Sequence, residues 1–284
     1  MNMNQPEFVS VHGGHSGEFC DHAQDSLEDI INAYIAKGFA WVGITEHMPP
    51  PEDRFLYPDQ IASGTDSEML YQDFARYISV CRDLQEKYAS AIRIFVGFET
   101  ETYSGSVPFI RHLTDTFQPD YIVGSVHHVD DFCFDSSQAD YDKSVRAAGG
   151  TDALYGRYFD QQYEMISALR PAVVGHFDVI RIFDPDYPSR LKKPAIQQRI
   201  RRNLECVRDF DLILDFNLRA LYKGAKEPYV SESILLQALE LGIDVVPGDD
   251  SHGIESVGAH MEDGIRILGK MGFSTNWRTP AASE

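Results

Sequence analysis

The chain alternates two kinds of segment, and that alternation limits its fold more than any other feature. Short, continuously apolar, β-rich runs recur at 8–11, 41–45, 92–98, 121–126, 173–175, 212–216 and 244–246. Unbroken apolar runs suit strands buried on both faces, as in a parallel sheet, whereas strict alternation indicates one wet face. Helical stretches separate them at 27–37, 68–88, 107–116, 153–169, 195–208, 231–240 and 261–271. Ser26 precedes the first as a candidate N-cap, and Gly38, Gly242 and Gly272 stand where helices should stop. About seven βα units, with a last strand expected near 273–276, predict an α/β chain folded as a distorted β/α barrel. One domain is expected over 1–284, with the barrel core at 8–277. Two segments break the spacing: 48–67, with Pro49, Pro50, Pro51 and Pro58, and the acidic 129–150. Such insertions after barrel strands build either a substrate mouth or mobile surface loops.

Composition narrows the function classes. With 284 residues, 43% of them apolar, and 17 Phe and 14 Tyr, the chain can fill a sizeable core. Its formal charge of −19, without any basic run, argues against nucleic acid as a partner. The run Arg199 to Arg202, with Glu205 nearby, reads as a solvated helix face. No apolar stretch approaches the length of a membrane span or a secretory leader, so a cytoplasmic location is expected and no membrane partner; the oligomeric state stays open. Cys20, Cys81, Cys133 and Cys206 form no CxxC pair and read as reduced bystanders.

Histidines carry the strongest chemical signal. Of ten, His12 and His15 follow the first apolar run, His47 the second, His127 and His128 the fourth, and His176 the fifth. Glu99 ends the third run, and Asp250 and His252 follow the last. In a parallel barrel these are C-terminal strand ends, which all open onto one face. Left uncoordinated, such a crowd of imidazoles and carboxylates would suffer desolvation and mutual repulsion, so two or three divalent cations sharing a bridging carboxylate are expected. Imidazole and carboxylate without thiolate suit zinc, manganese or iron better than calcium or magnesium. His112 and His260 fall on predicted helices outside the cluster and are excluded. With a phosphate dianion and a hydroxide added, such a multi-cation site comes close to neutral, and metal-bound water supplies the hydroxide at neutral pH. A small phosphorylated substrate follows. Neither a Gly-rich phosphate loop with its Lys nor a GxSxG elbow is present.

These residues resemble the PHP family, named for its polymerase-associated and histidinol-phosphatase members, and most closely its histidinol-phosphate phosphatases. The motifs are His15-Ser16-Gly17-Glu18-Phe19-Cys20-Asp21-His22, Ile44-Thr45-Glu46-His47, Gly97-Phe98-Glu99, Gly124-Ser125-Val126-His127, Val174-Gly175-His176 and Gly248-Asp249-Asp250-Ser251-His252. The resemblance spans the chain from Val11 to about His252 and implies a TIM-like, PHP-type barrel holding metals. It implies one cation on His12, His15 and Asp250, with Glu99 bridging to a second on His127 and His176. A third would take His22, His47 and His252. The family usually opens with H-x-H, whereas His12-Gly13-Gly14-His15 has an extra residue, which a glycine bulge would absorb.

The resemblance further implies hydrolysis of L-histidinol phosphate to L-histidinol and phosphate in histidine biosynthesis, by a metal-bound hydroxide. Its members tend to carry an Arg-Lys pair before a Gly after the sixth strand; here Tyr222 holds the Arg position. Arg219 and Lys223 are the candidates for phosphate contact, unless Arg219 pairs with a surface acid such as Glu227. His128 is the candidate donor to phosphate or to the leaving alkoxide, or else a supporting hydrogen-bond partner. The alternatives are a PHP phosphoesterase for nucleotides or another small phosphate ester, and a catalytically silent metal-binding module.

Overall fold

A computed structural model of the chain describes residues 6–280 and turns the seven apolar runs into one parallel sheet. Nine strands occur in chain order among the described residues: β1 (Phe8–Gly13), β2 (Phe39–Ile44), β3 (Arg93–Glu99), β4 (Tyr121–Gly124), β5 (His128–Val129), β6 (Phe132–Cys133), β7 (Val173–Val174), β8 (Ile213–Asn217) and β9 (Val245–Gly248). The sheet order is β1-β2-β3-β4-β7-β8-β9, every pair parallel, while β5 and β6 form a separate antiparallel hairpin. The end of β9 comes back beside β1. There the Asp249 amide donates to Ser10 Oγ (3.1 Å) and the Asp250 amide to the His12 carbonyl (2.8 Å), so the sheet curls into a nearly closed barrel.

Two separate apolar cores explain why the strands read as unbroken hydrophobic runs. Val9, Val11, Trp41, Phe95, Tyr121, Val123, Val173, Ile213 and Val246 come from strands alone and fill the barrel. Their neighbours in sequence, such as Val42, Ile94, Ile122, Val174 and Leu214, join the outer core with Leu27, Ile31, Tyr77 and Leu204 from the helices. Helices Leu27–Ala36, Ser67–Lys87, Ser106–Phe117, Thr151–Leu169, Pro194–Asp209, Glu232–Leu241 and Met261–Met271 supply that layer and lie where the periodicity places them. Ser26 Oγ accepts the Asp29 amide at 3.1 Å, as a capping residue should.

The structure departs from the sequence reading in two places. Residues 273–276 form a bend and not an eighth strand, because Phe273 plugs into the core and Trp277 Nε1 donates to the Glu7 carbonyl (2.8 Å). Segment 129–150 contains a helix, Gln138–Ala148, capped by Ser137 and buried through Tyr141, Ser144 and Ala148. Its acidity hid that apolar stripe. No helix among the described residues is long and apolar enough to cross a membrane.

Candidate metal centre

Parallel strands end together, and their ends bring the predicted side chains into one cluster, buried apart from the partly buried His47 and His252 and the exposed His22. The first step is a fault in β1, whose register against β2 slips between Ser10 and Gly13. Gly14 sits at φ +76°, and a Cβ on Gly13 would lie 2.5 Å from Tyr34 Oη, so neither position accepts a side chain. The slip turns both His12 and His15 toward Asp250, and one donor atom from each of the three lies within 4.8 Å of the others. Asp250 itself has φ +47°, held by the bond from its amide to the His12 carbonyl.

Glu99 stands at the centre of the cluster. Its Oε2 is 3.4 Å from His12 Nε2, 3.2 Å from His47 Nδ1 and 3.9 Å from His15 Nε2. Its Oε1 is 2.7 Å from His176 Nε2 and 3.3 Å from His127 Nε2. One buried carboxylate thus divides five imidazoles between its two oxygens, the geometry a bridging ligand requires. His22, His47 and His252 gather on one flank, with ring centroids 4.9 Å apart for His22 and His252 and 5.4 Å for His22 and His47. Cys20 lies there too: its Sγ and one nitrogen each of His15, His47 and His252 all fall within 4.8 Å of one another.

Electrostatics identify what the cluster is built to hold. Burial pulls the His12, His15 and His127 imidazoles down, but Glu99, Asp250 and their neighbouring acids outweigh it and hold all three above the ordinary value, His15 at about 9. Burial likewise opposes ionisation of Glu99, Glu101 and Asp250, yet the facing imidazoles keep them well below the usual carboxylate range. Burial and adjacent imidazoles push His22 down to about 3 and lower His252. The carboxylates are therefore ionised and demand positive charge. Both ring nitrogens of His15 and His47, and Nε2 of His12, are buried without a hydrogen-bond partner among the described residues. Buried imidazole nitrogens are rarely left unpaired, and this donor set fits divalent cations, which supply the charge and take the free lone pairs.

Supporting residues fix the donors. Asp215 Oδ2 is 2.9 Å from His12 Nδ1 and accepts the His176 amide (3.2 Å), so the Nδ1–H tautomer of His12 follows from the hydrogen-bond network. Glu46 Oε1 accepts both the amide and the hydroxyl of Ser16 at 2.7 Å, and its Oε2 faces His15 Nδ1 at 3.6 Å. Glu101 Oε2 faces His127 Nδ1 (3.0 Å) and His128 Nδ1 (3.3 Å).

Beside the cluster opens a cavity of about 520 Å³, within the usual range for a small-molecule site. His128, Arg219 and Lys223 line it with His47, Glu99, His127, His176, Asp250 and His252, while His12 and His15 lie behind. Arg219 does not pair with Glu227, whose carboxylate instead accepts the Tyr187 hydroxyl (2.6 Å) and the Glu232 amide (2.8 Å). The Arg219 Nε is buried without a partner among the described residues. Both insertions contribute to the mouth, through Pro49, Tyr57, Asp135 and Asp140. His112 and His260 lie outside every candidate metal group among the described residues, and so does the expected ligand His22, whose place in the third group is taken by Cys20 and His15.

Residues 13–219 match the model of the PHP domain. The chain belongs to the PHP domain family. A Schizosaccharomyces pombe protein named "Probable histidinol-phosphatase" is 34% identical over 94% of this chain and 88% of its own. Among solved structures, hisK of Listeria monocytogenes superposes with a TM-score of 0.80 and 27% identity, over 90% of this chain and 99% of that one. The histidinol phosphate phosphatase of Lactococcus lactis, complexed with zinc, L-histidinol and phosphate, has a TM-score of 0.73 over 94% of both chains; at 19% identity it speaks to the PHP fold.

Four residues of this PHP site escaped the sequence reading: Cys20, Glu46, Glu101 and Asp215. Cys20, expected to be a bystander, has its sulfur inside the cluster because the loop after β1 folds back over the strand ends. A fully buried acid in an otherwise apolar strand was a visible signal for Asp215, as was a second acid two residues after Glu99 for Glu101.

Proposed function

We propose that this PHP chain is a metal-dependent histidinol-phosphatase that hydrolyses L-histidinol phosphate to L-histidinol and phosphate, as a soluble cytoplasmic enzyme with neither nucleic acid nor membrane as partner. The observation that carries the proposal is the buried Glu99 shared among five imidazoles, beside a cavity lined by Arg219, whose Nε has no partner among the described residues. The names of the relatives supply the substrate. Two or three divalent cations, zinc, manganese or iron, would be held by His12, His15 and Asp250, by Glu99 with His127 and His176, and by His22, His47 and His252. When bound, such cations offset phosphate charge and acidify water toward neutral pH.

The chain's own groups do the rest. Arg219 presents a planar fork for two phosphate oxygens, and Lys223 adds a point charge. His128 keeps Nδ1 toward Glu101 Oε2 (3.3 Å), and its imidazolium form, with a proton on each nitrogen, is the one that would give the Nε2 proton to the leaving alkoxide oxygen. Tyr103 and Tyr57 flank that ring with centroids 5.5 and 5.8 Å away and exclude water from one side. Asp135 lines the same cavity, accepts the Cys133 thiol (3.3 Å) and complements a cationic amine.

The test is phosphate release by the zinc- or manganese-loaded protein from histidinol phosphate, a nucleoside monophosphate and a sugar phosphate. We expect kcat/KM for histidinol phosphate to exceed the others by about a hundredfold or more, because the alternatives leave polar groups of the pocket unpaired. Comparable rates would make the chain a general phosphoesterase. Absence of release from all three, with metals bound, would overturn the enzymatic reading.

A further inference from the structure

The loop after β1 carries a side chain that hydrolysis does not account for. Cys20 is buried, and the segment around it is stapled in place: its amide donates to the Ser16 carbonyl (2.9 Å), the Ala23 amide to the Cys20 carbonyl (3.1 Å), and the Gln24 amide to the His252 carbonyl (3.0 Å). The last of these bonds ties the loop to a residue of the cluster. Ser16 is held in turn through both its amide and its hydroxyl by Glu46, the residue before His47. The sulfur is therefore positioned by the same framework that positions the imidazoles.

Its surroundings are imidazoles. Cys20 Sγ lies 3.4 Å from each ring nitrogen of His22, and shares a 4.8 Å sphere with one nitrogen each of His15, His47 and His252. A thiol is a weak donor and satisfies at most one of these nitrogens. His15, fully buried, and His47 each have both nitrogens unpartnered among the described residues, so an S–H contact to His22 leaves the group unsatisfied. With His15 kept for the cation of His12 and Asp250, the sulfur, His47 and His252 still supply three of the four donors that a tetrahedral ion takes.

We propose that Cys20 ligates, as a thiolate, the cation held by His47 and His252. The inference rests on the metal reading of this site. Coordination forms a sulfur–metal bond and breaks the S–H bond, with the proton passing to solvent and no change of oxidation state. A thiolate makes this position softer than the other two, so it favours zinc or cobalt over manganese.

Cobalt(II) titration of the metal-free protein, with bound cobalt measured by elemental analysis, tests this directly. Wild-type protein and the Cys206→Ser control should develop a near-ultraviolet thiolate-to-cobalt charge-transfer band, and Cys20→Ser should lack it. Competition titration should show the zinc-over-manganese preference falling about tenfold or more in Cys20→Ser. Full cobalt loading of the wild type without the band overturns the role of Cys20 and leaves the metal reading standing, whether or not Cys20→Ser folds. Persistence of the band in folded Cys20→Ser overturns it equally. A wild type that retains no cobalt overturns both readings.

Discussion

Replacing Asp215 by Asn measures how much cation affinity is set by a residue assigned no cation of its own. Asp215 is fully buried, and its Oδ2 receives three groups: His12 Nδ1 at 2.9 Å, the His176 amide at 3.2 Å and Asn217 Nδ2 at 3.1 Å. It thereby holds a candidate ligand from each side of Glu99 and selects the His12 tautomer with Nε2 free. Asn keeps the shape and removes the charge. A hydrogen bond to a charged group contributes about 1.5–3 kcal/mol and a neutral one about 0.5–1.5 kcal/mol, so the substitution costs about 1–1.5 kcal/mol at His12. That is roughly a tenfold loss of affinity, since 1.4 kcal/mol is a factor of ten. If the amide turns its NH2 toward His12, donor faces donor and the tautomer inverts, which extends the loss toward about a hundredfold. Competition between metal-free Asp215→Asn and a chromophoric zinc chelator gives the affinity, and a thermal melt of the same sample verifies folding. A folded variant with wild-type affinity for every cation would refute the tautomer argument.

Glu99→Gln should lose bound metal, by elemental analysis, together with activity, because an amide cannot serve two cations with two anionic oxygens; retention of both would remove the bridging role. Arg219→Met should lower kcat/KM by about ten- to a hundredfold while leaving metal content intact, the loss expected for a charge-assisted contact to phosphate; an unchanged kcat/KM would return Arg219 to a packing role. In metal-free protein the raised imidazoles bind protons more tightly folded than unfolded. Their stabilisation is complete below an unfolded pKa of about 6.5 and is lost as pH climbs through the folded value, about 9 for His15. The melting temperature in a chelator should therefore fall between pH 6 and 9 by about several degrees, whereas metal-loaded protein should gain over the lower part of that range as its ligands deprotonate. Parallel trends in both forms would show that protons do not substitute for cations in the cluster.

The extent to which this site was legible follows from the polarity of a parallel sheet. When every strand runs the same way, a residue placed just after an apolar run is placed at one end of the barrel, whatever its partners in sequence. His47, Glu99, His127, His176 and Asp250 could be assembled from one-dimensional position alone, and the structure brings them within reach of one another. Even the irregular opening, His12-Gly13-Gly14-His15, was readable, because two glycines permit the slip that rotates both imidazoles inward. The same logic says nothing about depth along a strand or about where a loop returns. Asp215 lies two residues before the end of β8, where an acid inside a barrel has meaning only once His12 is seen across the interior. Glu101 acts beyond the end of β3, on imidazoles delivered by two other strands. Cys20 reaches the cluster through tertiary bonds such as that from the Gln24 amide to the His252 carbonyl, a contact spanning most of the chain. Topology thus places the candidate ligands, while tertiary hydrogen bonds choose their tautomers, their charge and the softness of each position. Substitutions in the first class should abolish metal binding, and those in the second should retune it.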